Sequence, residues 1–153
     1  MTINNYINQN MENPTFLFHG SPRLFEIVER RLSNSSDGNA VNIDNAVFTT
    51  SSFLVASAYA FKDTIKANSS GLHYNFNINY DGTFPIMEME NVNINEEIYG
   101  YVYVFKNEGN FKNEPVGSLQ YKSHNDIKPI DIVKIYYKDY MQYYENKGVN
   151  KTI

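Results

Sequence analysis

Cysteine is absent from this chain of 153 residues, and so is any long apolar run. Without cysteine the protein can form no disulfide and carry out no thiolate chemistry, and a structural zinc site is disfavoured. Because no apolar run approaches the roughly 18 residues of a membrane helix, we expect no membrane span. The polar start of the chain lacks the basic and apolar regions of a secretory signal. These absences suit a cytoplasmic protein that holds no metal.

Positive charge is also scarce. The chain has 13 Lys and Arg against 17 Asp and Glu, which gives a net charge of -4. This balance argues against the clustered basic face of a nucleic-acid-binding domain. The abundance of Asn, Ile, Lys and Tyr is typical of proteins from AT-rich bacterial or phage genomes.

Apolar residues make up 42% of the chain and aromatic residues 15%, enough for the core of one domain. We expect residues 1–13, which are polar and Asn-rich, to form a flexible leader, and residues 14–153 to form the domain. The predicted strands are 15–18, 46–49, 73–80, 84–90, 101–105, 118–121 and 130–137. With helices early and strands late, the pattern predicts an α+β fold of two small, packed, mainly antiparallel sheets with a few helices.

Two helices are predicted in the first half. Ser21 and Pro22 favour a helix over 22–32, although the apolar residues there also fit an extended segment. Ser52 is placed to cap a helix over 53–66, whose apolar residues recur at helical spacing. Residues 33–44 have the composition of a loop. Residues 138–147 fit either a terminal helix or a tail, and the tyrosines around them fit either a core or a partner surface.

Two segments carry most of the chemistry. The first, Phe16-Leu-Phe-His-Gly-Ser21, places an imidazole, an accessible backbone and a hydroxyl at one strand end. In the second, Tyr59 lies eleven positions after Phe48, among small residues that leave room for a flat ligand to stack. The alternatives are a satisfied histidine before a turn and an ordinary core aromatic.

Together these segments resemble the donor-binding half of ADP-ribosyltransferases, and they are most similar to the diphtheria-toxin and poly-ADP-ribose polymerase branch with its His, Tyr, Glu motif. The resemblance covers roughly residues 15 to 136. It implies a single-domain ADP-ribosyltransferase-like fold with NAD as substrate and no metal. It also implies that His19 bonds a donor ribose hydroxyl, that the backbone of Gly20 pairs with the carboxamide, and that Phe48 and Tyr59 sandwich nicotinamide in a cleft.

The same resemblance assigns supporting roles to neighbouring residues. Ser21, Thr49 and Thr50 are expected to add hydroxyl contacts, and Arg23 is the first choice for the cation that binds pyrophosphate, ahead of two further arginines. The sequence departs from the family at Phe48, where tyrosine is common. It departs again at Ala56, where the polymerase branch has a serine that Ser57 or Ser52 could replace.

The third motif is altered. Where the family has a late-strand glutamate in a context such as Ser-Val-Glu-Tyr, this chain has Ser118-Leu-Gln-Tyr121. The resemblance therefore assigns Gln120 and Tyr59 as the catalytic positions. Glutamine can bond a ribose hydroxyl but supplies no negative charge to a developing cation. The chain is then a weakened or non-catalytic member, or carries an engineered glutamine, or uses a neighbouring acid; the nearest in sequence are Glu108, Glu114 and Asp126.

The favoured function is NAD-dependent transfer of ADP-ribose to an unknown acceptor, protein or nucleic acid, or hydrolysis of NAD. The alternative, which Gln120 favours, is a module that binds NAD or an ADP-ribose-like nucleotide without turnover. Phosphotransfer from a tRNA 2′-phosphate on a related fold is a third possibility, which the acidic composition opposes. An unrelated α+β protein is the fourth. The pattern leaves the oligomeric state open.

Overall fold

A computed structural model describes residues 3–25, 28, 31–32, 45–67, 75–80, 84–90, 93–94, 97–147 and 150–151. The helices are α1 (Ile3–Ile7), α2 (Phe53–Ala67) and α3 (Tyr137–Tyr140), the last followed by a 3-10 turn at Met141–Tyr143. The strands are β1 (Phe16–Ser21), β2 (Arg31–Leu32), β3 (Asn45–Thr50), β4 (Asn75–Tyr80), β5 (Pro85–Glu90), β6 (Asn93–Ile94), β7 (Tyr99–Lys106), β8 (Lys112–Asn113), β9 (Gln120–Ser123), β10 (Asp131–Tyr136), β11 (Glu145–Lys147) and β12 (Asn150–Lys151).

The described strands form one large sheet and two small ones. The large sheet has the order β10-β7-β1-β3-β9-β8, with β2 also on β3, while β11-β5-β4 and β12-β6 form the small sheets. β3 runs antiparallel to β1, β2 and β9, and β4 and β5 form the antiparallel pair that their alternation predicts. The α+β class, with mainly antiparallel pairing and few helices, is confirmed. The parallel additions of β11 and β12 were not predicted.

The chain divides into two compact units. Unit 1 comprises residues 1–19, 25–53 and 103–132, and unit 2 comprises residues 20–24, 54–102 and 133–153.

The core of unit 1 includes a residue from the segment expected to be a flexible leader. Tyr6 of α1 is 3% exposed, and its ring lies 5.3 to 5.9 Å from the rings of Phe16, Phe18 and Phe53. Its hydroxyl donates a hydrogen bond to Asp131 Oδ2 at 2.7 Å. Isolated helices as short as α1 are unstable in water. Aromatic packing therefore orders residues that their polar composition assigned to a leader.

The helix predicted over 22–32 does not form where the structure describes this segment. Val28 is 2% exposed and exchanges two backbone hydrogen bonds with Ile127, at 2.9 and 3.0 Å. Arg31–Leu32 is a strand that pairs with β3. Long-range pairing therefore satisfies the backbone groups that a helix would have satisfied locally, as the extended alternative allowed. The predicted loop over 33–44 lies outside the described residues.

In unit 2, the predicted second helix is confirmed as α2. Its buried residues include Ala58, Phe61 and Ile65, spaced as one helical face requires, and Lys66 stands in the last turn, where a positive charge is favourable. Phe61 packs edge-on against Tyr137 at 5.5 Å.

The tyrosines near the C-terminus divide between core and surface. The rings of Tyr137, Tyr140 and Tyr144 are buried, and all three contact Phe61. The Tyr144 hydroxyl is hydrogen-bonded with Ser57 Oγ, and burial raises the pKa of Tyr144 well above its usual value of 10. Of the two interpretations that the sequence left open, core packing accounts for these three rings.

Candidate functional site

In unit 1, three neighbouring strands carry His19, the Phe48–Thr50 segment and Gln120. β3 lies between β1 and β9, so that Thr50 stands opposite Phe18 on one side and opposite Gln120 on the other. These segments form strands because they contain β-branched and aromatic residues, which favour extended backbone. Motifs that are far apart in the sequence are thereby brought side by side.

The imidazole of His19 is oriented by the backbone of β3. Its Nδ1 lies 2.8 Å from the carbonyl oxygen of Phe48. Because a carbonyl oxygen can only accept, Nδ1 carries the hydrogen and donates this hydrogen bond. In the neutral ring the other nitrogen, Nε2, then bears the lone pair and acts as the acceptor. The His19 ring also lies 6.3 Å from the ring of Tyr103, whose hydroxyl accepts a hydrogen bond from the Phe25 N–H at 2.8 Å.

Both threonines of β3 use their hydroxyl groups within the protein. Thr49 is 4% exposed, and its Oγ1 donates to the carbonyl oxygen of Tyr121 at 2.9 Å. Thr50 is half-buried, and its Oγ1 accepts from the Ser52 N–H at 3.1 Å, just before α2 begins. These bonds tie β3 to β9 and to the start of the helix. The ligand contacts predicted for both residues stay predictions.

Gln120 is held by the turn that precedes it. Its Nε2 donates to the backbone carbonyl oxygen of Glu114 at 2.8 Å, and its own backbone N–H bonds to Ser118 Oγ at 3.1 Å. Asn113 Nδ2 donates to the Gln120 carbonyl oxygen at 2.9 Å. Gln120 is half-buried, and the bond to Glu114 orients its carboxamide.

An ion pair that the sequence interpretation missed lies beside Gln120. Lys122 is 1% exposed, and its Nζ lies 3.8 Å from Glu114 Oε1 and 5.4 Å from the centre of the Phe48 ring. Lys112 adds a second ammonium 3.9 Å from Glu114 Oε2. Of the three acids considered as substitutes for the missing glutamate, Glu114 bonds Gln120 through its backbone, while its carboxylate pairs with the two lysines. Lys122 could have been noticed because strand periodicity places it on the same side of β9 as Gln120.

In unit 2, Gly20 is required by packing. A Cβ at Gly20 would collide with the carbonyl oxygen of Ala56 and lie 2.8 Å from the nitrogen of Ala60. Both of these atoms belong to the backbone of α2, so they cannot rotate away as a side chain would. The close approach of strand to helix explains this glycine without any ligand, and its predicted pairing with a carboxamide stays a prediction.

Ser21 and Arg23 form a local turn. Ser21 is 8% exposed, and its Oγ accepts a hydrogen bond from the Arg23 N–H at 3.1 Å. This is the side-chain-to-backbone bond by which serine favours turns over helices. Arg23 itself is exposed. The Ser21 hydroxyl is therefore an acceptor within this turn, and Arg23 is a surface cation.

Tyr59 lies on α2 and is 46% exposed. Its neighbours Ala56, Ala58 and Ala60 are buried, so the helix turns its small residues inward and this ring outward. Lys62, one turn later, places its Nζ 5.6 Å from the centre of the Tyr59 ring. Partial burial and, secondly, the charge of Lys66 lower the pKa of Lys62 from 10.5. A half-exposed ring can take part in stacking, as the sequence interpretation requires, whereas a buried core aromatic could not.

The described residues contain neither a metal-binding cluster nor a membrane-spanning helix. Among the residues that the structure describes, no cluster of three His, Asp or Glu side chains is arranged to hold a metal ion. No helix in that part of the chain is long and apolar enough to cross a membrane.

Comparisons with known proteins give no relative. No protein-family model, no curated protein and no solved structure matches the chain.

Proposed function

We propose that this chain binds NAD at strands β1, β3 and β9 of unit 1 and transfers its ADP-ribose to an acceptor, or to water when no acceptor is bound. The observation that carries the proposal is the position of β3, which is hydrogen-bonded to both the His19 strand and the Gln120 strand. One residue from each of the three sequence motifs, His19, Phe48 and Gln120, therefore lies on these neighbouring strands, although the three are far apart along the chain.

The histidine supports the proposal chemically. Its Nδ1–H donates a hydrogen bond to the Phe48 carbonyl oxygen, which orients the ring and makes Nε2 the acceptor nitrogen of the neutral imidazole. A hydrogen-bond acceptor with a fixed orientation is what a ribose hydroxyl needs from a donor site.

The charge around Gln120 makes slow chemistry the expectation. Cleavage of the nicotinamide–ribose bond develops positive charge on the sugar, which a nearby carboxylate stabilises. Gln120 is neutral, and the adjacent carboxylate of Glu114 is shared between two lysines. We propose that Glu114 supplies what negative charge this site has, and that Gln120 bonds the ribose.

A second function is favoured by Lys122. This buried ammonium lies 5.4 Å from the centre of the Phe48 ring, the face proposed for nicotinamide. The nicotinamide ring of NAD carries a positive charge, which a lysine beside Phe48 disfavours, whereas ADP-ribose has no such charge. These charges favour a module that binds ADP-ribose or a similar nucleotide without turnover.

Calorimetric titration with NAD and, separately, with ADP-ribose tests both functions, with nicotinamide release measured in the NAD sample. The transferase proposal predicts that NAD binds and that nicotinamide is released at a slow, measurable rate. Tighter binding of ADP-ribose than of NAD, without nicotinamide release, supports the module. His19→Ala should weaken the binding of either ligand. Lys106→Gln, which changes the exposed last residue of β7, serves as the control. If neither ligand binds, both proposals are wrong.

A further inference from the structure

Unit 2 presents a second surface, which the proposed function does not use. Tyr99 and Tyr101 stand two residues apart on β7, Lys134 and Tyr136 stand two apart on β10, and Lys138 follows on α3. Because side chains two apart in a strand share a face, the first four project from one side of this strand pair. We call the five residues the tyrosine–lysine face.

This face lies on the opposite side of β7 from α2. Gly100, between the two tyrosines, points at the helix, since a Cβ there would lie 2.7 Å from the carbonyl oxygen of Ala60 and 2.9 Å from its Cβ. Tyr99 and Tyr101 must therefore point away from α2. Tyr99 is 44% exposed, Tyr101 and Tyr136 are half-buried, and both lysines are exposed.

The amino groups of the lysines are held against the rings. Lys134 Nζ lies 4.5 Å from the centre of the Tyr99 ring and 5.3 Å from that of Tyr136, and Lys138 Nζ lies 5.8 Å from the latter. Tyr101 meets Tyr99 edge-on at 6.1 Å. A hydrogen bond with Tyr136 raises the pKa of Lys134 above 10.5, so this side chain is positively charged at neutral pH.

We propose that the tyrosine–lysine face binds single-stranded nucleic acid. Half-exposed rings provide platforms on which bases stack, and the adjacent ammonium groups bind the phosphates between those bases. The face carries two positive charges and no negative one among its five side chains. The net charge of -4 argues against a broad duplex-binding surface, but a stacking platform needs only a few local cations.

A second copy of this chain fits the face less well. In a symmetric dimer the same patch meets itself, so Lys134 and Lys138 would approach their own copies. Like charges opposed across an interface disfavour association. The charge on the face therefore favours an anionic chain over self-association.

The test is fluorescence anisotropy with labelled oligothymidylate, titrated with the protein at 50 and 200 mM salt. We expect binding that weakens with salt. Tyr99→Ala should weaken it about 10-fold, within the range of one missing base–ring stack, while Tyr99→Phe should bind like the wild type. The double variant Lys134→Gln/Lys138→Gln should flatten the slope of log K against log salt by about 0.7 for each phosphate that the protein no longer neutralises. Lys106→Gln/Lys128→Gln removes the same charge from exposed lysines elsewhere and should leave binding unchanged.

Four results would overturn the proposal. The first two would be a wild type that does not bind at 50 mM salt, and a control pair that weakens binding as much as the Lys134/Lys138 pair does. The third would be competition by polyglutamate as strong as that by unlabelled oligonucleotide, which would mean that charge alone drives binding. The fourth would be a wild-type dimer in light scattering that Tyr99→Ala converts to a monomer, which would make the face a self-association surface. The anisotropy assay contains no NAD, so failure of this proposal is independent of the NAD site.

Discussion

Replacement of Gln120 by glutamate should have two effects: it removes a hydrogen bond that stabilises the fold, and it adds a negative charge at the proposed site. The Gln120 amide donates to the Glu114 carbonyl oxygen at 2.8 Å. A carboxylate at the same place cannot donate, so two acceptor oxygens would face one another. Loss of this bond, together with the acceptor left unpaired, costs about 1–2 kcal/mol at a half-buried site. For a chain of this size that corresponds to a Tm lower by roughly 2–8 °C.

The same substitution adds charge where the proposed ribose cation develops. A well-placed electrostatic stabiliser is typically worth ~10²–10³ in rate, so nicotinamide release by Gln120→Glu should rise by a similar factor. Gln120→Met is the matched control, because it loses the same hydrogen bond without gaining charge. It should show a comparable drop in Tm and no gain in rate.

The assay is nicotinamide release at saturating NAD, at a temperature where circular dichroism shows both variants folded. A glutamate variant that is destabilised like the methionine variant and no faster than the wild type would refute the assignment of Gln120 to the reacting ribose. Equal stability of all three proteins would refute the hydrogen bond to Glu114 as a contributor to folding.

Three further predictions concern packing, surface exposure and pH. Gly20→Ala should lower the free energy of unfolding in urea by about 1–3 kcal/mol, because the new Cβ meets the backbone of α2; an unchanged midpoint would contradict that close approach. Tyr59→Ala should leave the free energy of unfolding nearly unchanged, since the ring is half exposed; a loss of more than about 1 kcal/mol would contradict that exposure. Burial and the hydrogen bond to Asp131 raise the pKa of Tyr6 to about 12, so the unfolded chain loses this proton first as the pH rises above 10. The stability advantage of the wild type over Tyr6→Phe should therefore be complete below pH 10 and shrink towards pH 12, and an advantage that grows with pH would contradict this.

The sequence was most informative where local patterns decide structure. The helical spacing in α2 and the aromatic and β-branched residues of β3 and β7 predicted those elements to within about two residues. α1 and the segment around Val28 could not be predicted in this way. Their conformations depend on Tyr6 packing against distant rings and on Val28 pairing with Ile127, and no local pattern encodes either partner.

The candidate site follows the same division. His19, Phe48 and Gln120 were predicted from the sequence because the motifs around them resemble those of ADP-ribosyltransferases. The ion pair of Lys122 with Glu114 was not, since a lysine in a strand is usually exposed and only the folded sheet shows that this one is 1% exposed. Gly20 was assigned to a ligand, and the structure supplies a packing reason that sequence reasoning could not see.

The most direct test of the central claim is an NMR titration of ¹⁵N-labelled protein with NAD. The claim is that β1, β3 and β9 together form the nucleotide site. It predicts that the amide resonances of His19, Thr50 and Gln120 shift together along one binding curve, and that the imidazole resonances of His19 move with them. Saturable shifts confined to residues outside these three strands, or no shift at millimolar NAD, would contradict it.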